Sequence, residues 1–254
     1  MKLRLMTWNV HRCVGVDKRL DVERCARVIA ASRPDIVGLQ ELDVGRKRTG
    51  HVDQAHRLAE LVSMRSHFNA AMHIEEERYG DALMTALPER LVRAGPLPGY
   101  PKIRALEPRG AVWIAVTLPD GQELQVINTH LGLVPQEQKK QATALVADWL
   151  ADEKFTAPGI LMGDFNATPF QQPYRIIATA IKDAQLQWPG APMSTYPSGF
   201  PFMRIDHMFI SPGINVTRVE SPFDPEARKA SDHLPLVVEV EIPRRDPAGT
   251  QAPA

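Results

Sequence analysis

Six short segments carry carboxylates, amides or imidazoles where a plain turn residue would serve. They are Asn9 with His11, Gln40-Glu41, Asn128-Thr129-His130, Gly163-Asp164-Phe165-Asn166, Arg204-Ile205-Asp206-His207 and Ser231-Asp232-His233. Taken singly, each has an ordinary explanation as a turn residue, a loop cap or a half-buried histidine. Taken together, they share a position at the ends of stretches that read as strands. Ligands bind outside the C-terminal ends of strands in α/β sheets, so polar groups placed there can converge. The two-residue period puts Asn9 with His11, and Asp164 with Asn166, on a shared side of extended chain. If Glu41, Asp164, Asp206 and Asp232 converge, they repel. Two such charges 4 Å apart cost about 1 kcal/mol in water and about 4 kcal/mol at an effective dielectric near 20. Such a cluster needs a cation, and carboxylate and amide oxygens without cysteine favour Mg²⁺ or Mn²⁺ over zinc.

The elements that must position these residues follow from apolar spacing. Leu3 and Leu5 alternate with Lys2 and Arg4, which predicts a strand entering Thr7-Trp8-Asn9. Asp21 reads as the N-cap of a helix whose Val22, Cys25, Ala26, Val28 and Ile29 form one apolar face, stopped by Pro34. Asp35–Gln40 reads as a buried strand and 52–62 as an amphipathic helix, with shorter strands near His67–His73 and Asp81–Ala86. Prolines 96, 98, 101 and 108 predict a surface loop over 94–110. Ala111–Leu118 and Glu123–Thr129 flank Pro119-Asp120-Gly121, a hairpin signal in which Pro sets φ and Gly supplies positive φ. Pro135 opens a helix to about Leu150, with Ala142, Leu145, Val146, Trp149 and Leu150 inward. A strand at Gly159–Gly163, a helix at Pro173–Ile181 and strands at Asp206–Ile210 and Leu236–Glu241 complete the series.

No repeat, linker or composition shift divides the chain. Residues 1–243 therefore read as one α/β domain with a mixed sheet or two sheets and helices outside. Residues 244–254, rich in Pro, Ala and Arg, read as a flexible C-terminal tail.

Composition bounds the function. The 254 residues carry 30 Lys+Arg and 30 Asp+Glu, 44% hydrophobic and 24% charged, which is ordinary globular composition and excludes disorder or a fibre. The zero net charge argues against a protein that grips nucleic acid mainly by bulk electrostatics. With 6% aromatics, an extended stacking platform for single strands is not expected. Cys13 and Cys25 lack a C-x-x-C spacing, so free thiols are expected and a structural zinc site is not. Met1-Lys2-Leu3-Arg4-Leu5-Met6 has no apolar export core, and no window holds 18 consecutive apolar residues. A soluble, cytoplasmic, monomeric protein is the expectation.

From Trp8-Asn9 to Ser231-Asp232-His233, the chain resembles the endonuclease/exonuclease/phosphatase superfamily of deoxyribonuclease I-like folds. Gly163-Asp164-Phe165-Asn166 paired with Ser231-Asp232-His233 carries the resemblance, and Leu39-Gln40-Glu41 and Asn128-Thr129-His130-Leu131 strengthen it. The fold it implies is a four-layer α/β/β/α sandwich, two packed mixed β-sheets flanked by helices. The activity it implies is divalent-metal-dependent hydrolysis of a phosphoester, usually a diester. By resemblance, Glu41 is a metal ligand, with Asp232 nearby and Asn9 assisting. Asp164 orients or deprotonates the attacking water, and Asn166 donates its amide to a phosphate oxygen. His233 stabilises developing charge or protonates the leaving group, with Asp206 fixing its tautomer. His130 is a second phosphate-facing histidine, supported by Asp81.

Some positions depart from the pattern. His11 stands where abasic-site endonucleases place an acidic residue, which disfavours that branch and makes His11 a candidate for substrate contact. Glu107-Pro108-Arg109-Gly110 resembles a segment of compact bacterial members, and Arg109 is a candidate for the substrate phosphate or for a structural ion pair. Arg46-Lys47-Arg48 reads as a solvated loop or a phosphate-tracking loop, and Lys102, Arg104 and Arg109 as a possible basic rim. Trp8, Trp113 and Trp149 read as core. The loop holding Trp188, Tyr196, Phe200 and Phe202 either walls the pocket or packs on the sheet edge. The substrate classes are a small molecule, a phospholipid headgroup or a nucleic acid. Rival readings are an endo- or exonuclease acting on DNA or RNA, and a catalytically inactive relative that only binds.

Overall fold

The computed structural model describes residues 1–74, 77–100, 106–156 and 158–244. Lys102 and Arg104 of the expected basic rim lie outside the described residues, as does the tail from residue 245 onward.

In chain order the elements are β1 (Lys2–Asn9), α1 (Val22–Ser32), β2 (Ile36–Val44), α2 (Gln54–Leu61), β3 (Arg65–Ile74), β4 (Glu77–Thr85), β5 (Glu89–Pro96), β6 (Gly110–Thr117) and β7 (Glu123–His130). They continue with α3 (Pro135–Ala144), β8 (Gly159–Asp164), α4 (Gln172–Ala178), β9 (Lys182–Asp183), β10 (Asp206–Ile210), β11 (Asn215–Glu220), α5 (Pro225–Ala230) and β12 (Leu236–Glu241). Asp21 caps α1 as predicted, its carboxylate accepting the Arg24 N–H at 2.8 Å. Past Ala144 the α3 helix widens into one π turn, Leu145–Leu150.

The strands form two six-stranded mixed sheets, β11-β12-β1-β2-β4-β3 and β5-β6-β7-β8-β10-β9. The two orders follow one plan. Each sheet has a single parallel pair at its centre, β1 with β2 and β7 with β8, and antiparallel neighbours on both sides. Alternation along the strands then divides the apolar residues into three layers. Leu3, Leu5, Ile36, Val126, Ile160, Met162 and Val238 pack between the sheets. Met6, Trp8, Val37 and Leu39 pack beneath Cys25 and Ile29 of α1 and Leu58 of α2. Trp113, Ile127, Leu161 and Phe209 pack beneath Leu145, Trp149 and Ile177. The architecture is the four-layer α/β/β/α sandwich.

One expectation fails locally. The proline-rich stretch from 94 is not loop throughout, because Ala94, Gly95 and Pro96 complete β5 and pair with Val112, Ala111 and Gly110. β5 is an edge strand and Pro96 its last residue, so the missing N–H removes no ladder bond from the sheet interior.

Candidate active site

The two parallel pairs end on the same side of the sandwich, and four of the six chemical segments sit at those ends. β1 delivers Asn9, β2 delivers Glu41, β7 delivers His130 and β8 delivers Asp164. β10 starts from that side, so Asp206 stands opposite Asp164 in the antiparallel ladder. The link from α5 to β12 supplies Asp232 and His233.

Local backbone irregularities aim these side chains. The β2–β4 register slips between Leu39 and Leu42, and Glu41 adopts a left-handed φ of 62° within that bulge. Asn166 has φ 46°, and His11 has φ 45°. Such conformations are costly for residues with a Cβ and persist where neighbouring contacts over-determine them. Those contacts are present. The Asn166 N–H donates to Asp164 Oδ1 at 2.8 Å, and the His11 N–H donates to Asn9 Oδ1 at 3.0 Å.

Asn9 is the hub. Its Nδ2 donates to Glu41 Oε1 and to Asp164 Oδ2, both at 3.0 Å, and its backbone carbonyl accepts from Ser231 Oγ at 2.7 Å. Ser231 Oγ also reaches Asp232 Oδ1 at 3.3 Å, and His11 Nδ1 lies 3.7 Å from that same oxygen. Glu41 is thus bonded to Asn9 directly, and Asp232 is linked to it through Ser231. Asp232 keeps 39% of its side chain exposed, so this part of the cluster opens to solvent.

Deeper in, Asp164, Asp206 and His233 present atoms that all lie within 4.8 Å of one another. His233 Nδ1 faces Asp206 Oδ2 at 2.9 Å, and His233 Nε2 lies 3.7 Å from Asp164 Oδ2. Thr195 Oγ1 donates to Asp206 Oδ2 at 2.5 Å, and Tyr196 packs against the His233 ring at 4.8 Å between centroids. Asp206 is fully buried and its Oδ1 has no hydrogen-bond partner. These environments push the two titrating groups apart from their ordinary values. Burial, then the nearby Asp206, raises Asp164 to about 7, despite the favourable His233 and Asn9. Burial alone would lower His233, but Asp206 and Asp164 override it and raise the imidazolium to about 10. A carboxylate with a raised pKa beside a histidine that stays protonated is the pattern of a paired base and acid.

His130 is buried on the sheet side of this cluster. Its Nε2 lies 3.0 Å from Asn166 Nδ2 and 3.5 Å from Asp164 Oδ2, and its Nδ1 lies 3.1 Å from Arg109 Nη1. Asn166 Nδ2 also donates to the Leu131 carbonyl at 3.0 Å. Burial, followed by the charges of Arg109 and His233, holds His130 well below the usual histidine range.

For Arg109 the ion-pair reading is the one present: it is 7% exposed, with Nη2 3.4 Å from Glu107 Oε2, and it lies behind His130 and not on a substrate rim. Asp81 does not take the His130 ring nitrogen, because Arg109 occupies that place. The Asp81 carboxyl is instead raised to about 8 by burial, partly offset by Arg109 and by the backbone N–H of Glu41. The Arg46–Arg48 loop is also tied down. Arg48 grips the buried Asp43 through two bonds of 2.7 Å, and Arg46 pairs with Glu77 at 3.2 Å. Of the aromatic loop, Tyr196 reaches His233, Trp188 packs on the inter-sheet core, and Phe200 and Phe202 are exposed.

Two members of the chemical segments serve the scaffold, and other contributors lie outside those segments. Gln40 and Asn128, at chemical strand ends, point between the sheets and bond to each other at 2.7 Å, and Asn128 also donates to the Leu39 and Ala82 carbonyls. They couple the two sheets and do not line the cleft. Gln138 donates to both the Gly132 and Asn166 carbonyls at 2.8 Å, which fixes the Asn166 turn. Its spacing from Gln141, on the helix face that carries Ala142 and Leu145 inward, was the available signal. Thr195 and Arg12, the latter with Nη2 2.5 Å from His11 Nε2, gave none.

The chain is similar to known proteins along nearly its whole length. A 141-residue stretch is 33% identical to a UPF0294 protein of Vibrio cholerae, covering 53% of this chain and 46% of that one. The chain thus spans about half the length of that relative. The Escherichia coli protein YbhP is 24% identical over 251 residues, 94% of this chain and 96% of its own. A crystal structure of an endonuclease/exonuclease/phosphatase from Beutenbergia cavernae superposes with a TM-score of 0.74 at 25% identity, over 95% of this chain and 72% of that one. The family model described as Endonuclease/Exonuclease/phosphatase matches residues 6–233, from within β1 through His233. With that span covering every strand-end segment above and all of both sheets but β12 and the start of β1, the chain belongs to the endonuclease/exonuclease/phosphatase family.

Proposed function

We propose that residues 1–243 form a single catalytic domain that hydrolyses a phosphodiester by attack of water, dependent on Mg²⁺ or Mn²⁺. The observation that carries this reading is the Asp164–His233 pair. Its atoms lie 3.7 Å apart, one group raised to about 7 and the other to about 10, beside the Asn9–Glu41–Asp232 cluster. Asp164 is suited to take a proton from water near neutral pH, and His233 to give one to the leaving oxygen. Asp206 holds the His233 Nδ1–H and keeps Nε2 directed at the site.

The donor set fits a hard divalent cation. Glu41 and Asp164 accept from the same Asn9 amide, Asp232 is tied to the Asn9 carbonyl through Ser231, and the ligand atoms these residues offer are oxygens. In this reading Glu41 and Asp232 hold the ion, with Asn9 beside them. When bound, the ion supplies positive charge against the phosphate and makes water more acidic. The Asn166 amide and the His130 ring edge provide hydrogen bonds for a phosphate oxygen. In such a buried site, removing one preorganised donor costs about 10²–10³ in rate. His11, half-buried with Nδ1 3.7 Å from Asp232 Oδ1, is placed to meet the substrate at the cleft.

A small or locally gripped phosphodiester is favoured over a long nucleic acid. Arg46 and Arg48 are consumed by Glu77 and Asp43 and do not form a phosphate track. No helix among the described residues is long and apolar enough to cross a membrane. The direct test is a metal-dependent screen of DNA, RNA, phospholipids and small phosphodiesters, with Asp164→Ala as control. Turnover in one class that is lost with EDTA and in the variant supports the reading. Turnover unaffected by both sinks it.

A further inference from the structure

We propose that Arg12 is a specificity residue that binds a second phosphate on the substrate, apart from the one being cleaved, so that the cleft prefers a phosphodiester with a further phosphate on one arm. The proposal rests on the phosphodiester reading for what fills the rest of the cleft, and on the placement of Arg12 for the second group.

Arg12 is presented by a loop built at a conformational cost. His11, Arg12 and Cys13 adopt φ of 45°, 59° and 55° in succession, left-handed values that are unfavourable for residues with a Cβ. Each is pinned. The His11 N–H donates to Asn9 Oδ1 at 3.0 Å, and the Arg12 carbonyl accepts from Gln54 Nε2 at 2.6 Å. Cys13 is fully buried, and its carbonyl accepts the Asp21 N–H at 2.9 Å. Strain of this kind persists where the surroundings over-determine it, and it gathers at ligand sites. Here it turns the chain just after the strand-end Asn9. His11 Nδ1 then lies 3.7 Å from Asp232 Oδ1, and Arg12 stands at the far edge of the same ring, with Nη2 2.5 Å from Nε2.

The charge on Arg12 is unmatched. Four other arginines of the molecule, all considered above or buried near the cleft, are paired: Arg46 with Glu77, Arg48 with Asp43, Arg109 with Glu107 and Arg204 with Asp183. Arg12 is half-buried, and among the described residues no carboxylate lies within salt-bridge range of it. Its Nε is buried without a hydrogen-bond partner, and its Nη2 meets an imidazole. A guanidinium stays charged, and a charge withdrawn from water is stable only with a partner. A purely structural arginine would carry an ion pair, as the other four do. The guanidinium fork matches two oxygens of a phosphate, which supplies the missing partner. That phosphate is distinct from the scissile one. Asn166 and His130 border Asp164, whereas Arg12 lies on the Asp232 flank with the His11 ring between.

The test is calorimetric binding with Ca²⁺ present to neutralise the acidic cluster. Thymidine 5′-monophosphate is the reference, and thymidine 5′-diphosphate and thymidine 3′,5′-bisphosphate are the two-phosphate probes of short and long spacing. At least one probe should bind the wild type about tenfold or more tightly than the reference. Arg12→Met should bring that ratio close to one, and Arg12→Lys, which keeps the charge and loses the fork, should retain part of it. A wild type that favours neither probe, or a margin that survives in Arg12→Met, overturns the proposal. Should Arg12→Met fail to fold, Arg12→Gln, which keeps a polar stem without the charge, takes its place. Binding needs no turnover. A margin that depends on Arg12 in a protein that hydrolyses no diester overturns the hydrolase reading and leaves the second-phosphate site supported, whereas hydrolysis without the margin overturns this proposal alone.

Discussion

Replacing Asp206 by asparagine isolates the charge that keeps His233 protonated. The asparagine oxygen can still accept from His233 Nδ1 and Thr195 Oγ1, and its amide can occupy the place of the unpartnered Oδ1. Only the charge is lost. With both groups buried, an opposite charge at about 4 Å contributes about 4 kcal/mol at an effective dielectric near 20. At about 1.4 kcal/mol per pH unit, that loss lowers the His233 pKa by about three pH units. The imidazolium, raised to about 10 in the native protein, would then titrate near 7, close to an ordinary histidine. At about pH 9 the protonated fraction falls from about nine-tenths to about one-hundredth, so kcat/KM for bis-p-nitrophenyl phosphate should drop about a hundredfold. At about pH 6 both proteins hold the proton and should differ little. The assay is the full pH profile of kcat/KM for both proteins. An alkaline limb that stays in place, or an equal loss at both pH values, would refute the electrostatic role of Asp206.

Three further outcomes follow from the same geometry. Asp164 is raised to about 7 in the folded protein, against about 3.9 for a free carboxyl, so the folded state binds the extra proton and stability falls as pH rises through that window. In EDTA, Asp164→Asn should therefore melt above the wild type at about pH 8, by at most about 4 kcal/mol, with the gap closing near pH 4. A gap that persists at low pH would show that charge is not the cause. In the metal-loaded enzyme the acid limb of kcat/KM should follow ionisation of Asp164 at a pH below its metal-free value of about 7, because the cation favours the carboxylate, and a limb above about 7 would contradict that assignment. Gly163→Ala would place a Cβ 1.9 Å from the Thr129 carbonyl, at φ 153°, and force apart the parallel pair that carries His130 and Asp164. Calorimetry should show a loss of more than about 2 kcal/mol, with activity falling alongside.

Much of this molecule is readable from residue types. Asp206–Ile210 and Leu236–Glu241 are buried strands whose apolar runs and bounding turns mark them to the residue, and the observed strands coincide with them. β5 and β11 are edge strands with mixed exposure, so neither alternation nor a continuous apolar run identifies them. The shared plan of the two sheets is invisible in sequence because it repeats connectivity and not residues. The strand-end polar groups were legible because six such groups exceed what turns require. Their partners were not. Arg109 reaches His130 across 21 positions, and Asn9 reaches Asp164 across 155, and no local pattern encodes such contacts. Asp81 shows the limit most plainly. Its position in the chain suggests a partner for His130, yet an arginine from β6's approach takes that place.

The central claim is that this cleft hydrolyses a phosphodiester with a divalent ion, using Asp164 as base. Its most direct test is release of p-nitrophenol from bis-p-nitrophenyl phosphate with Mg²⁺ or Mn²⁺, with EDTA, and with Asp164→Ala. The account predicts turnover with metal, loss in EDTA with recovery on adding the ion back, and a fall of at least about a hundredfold in the variant. Turnover that survives both EDTA and Asp164→Ala would contradict it.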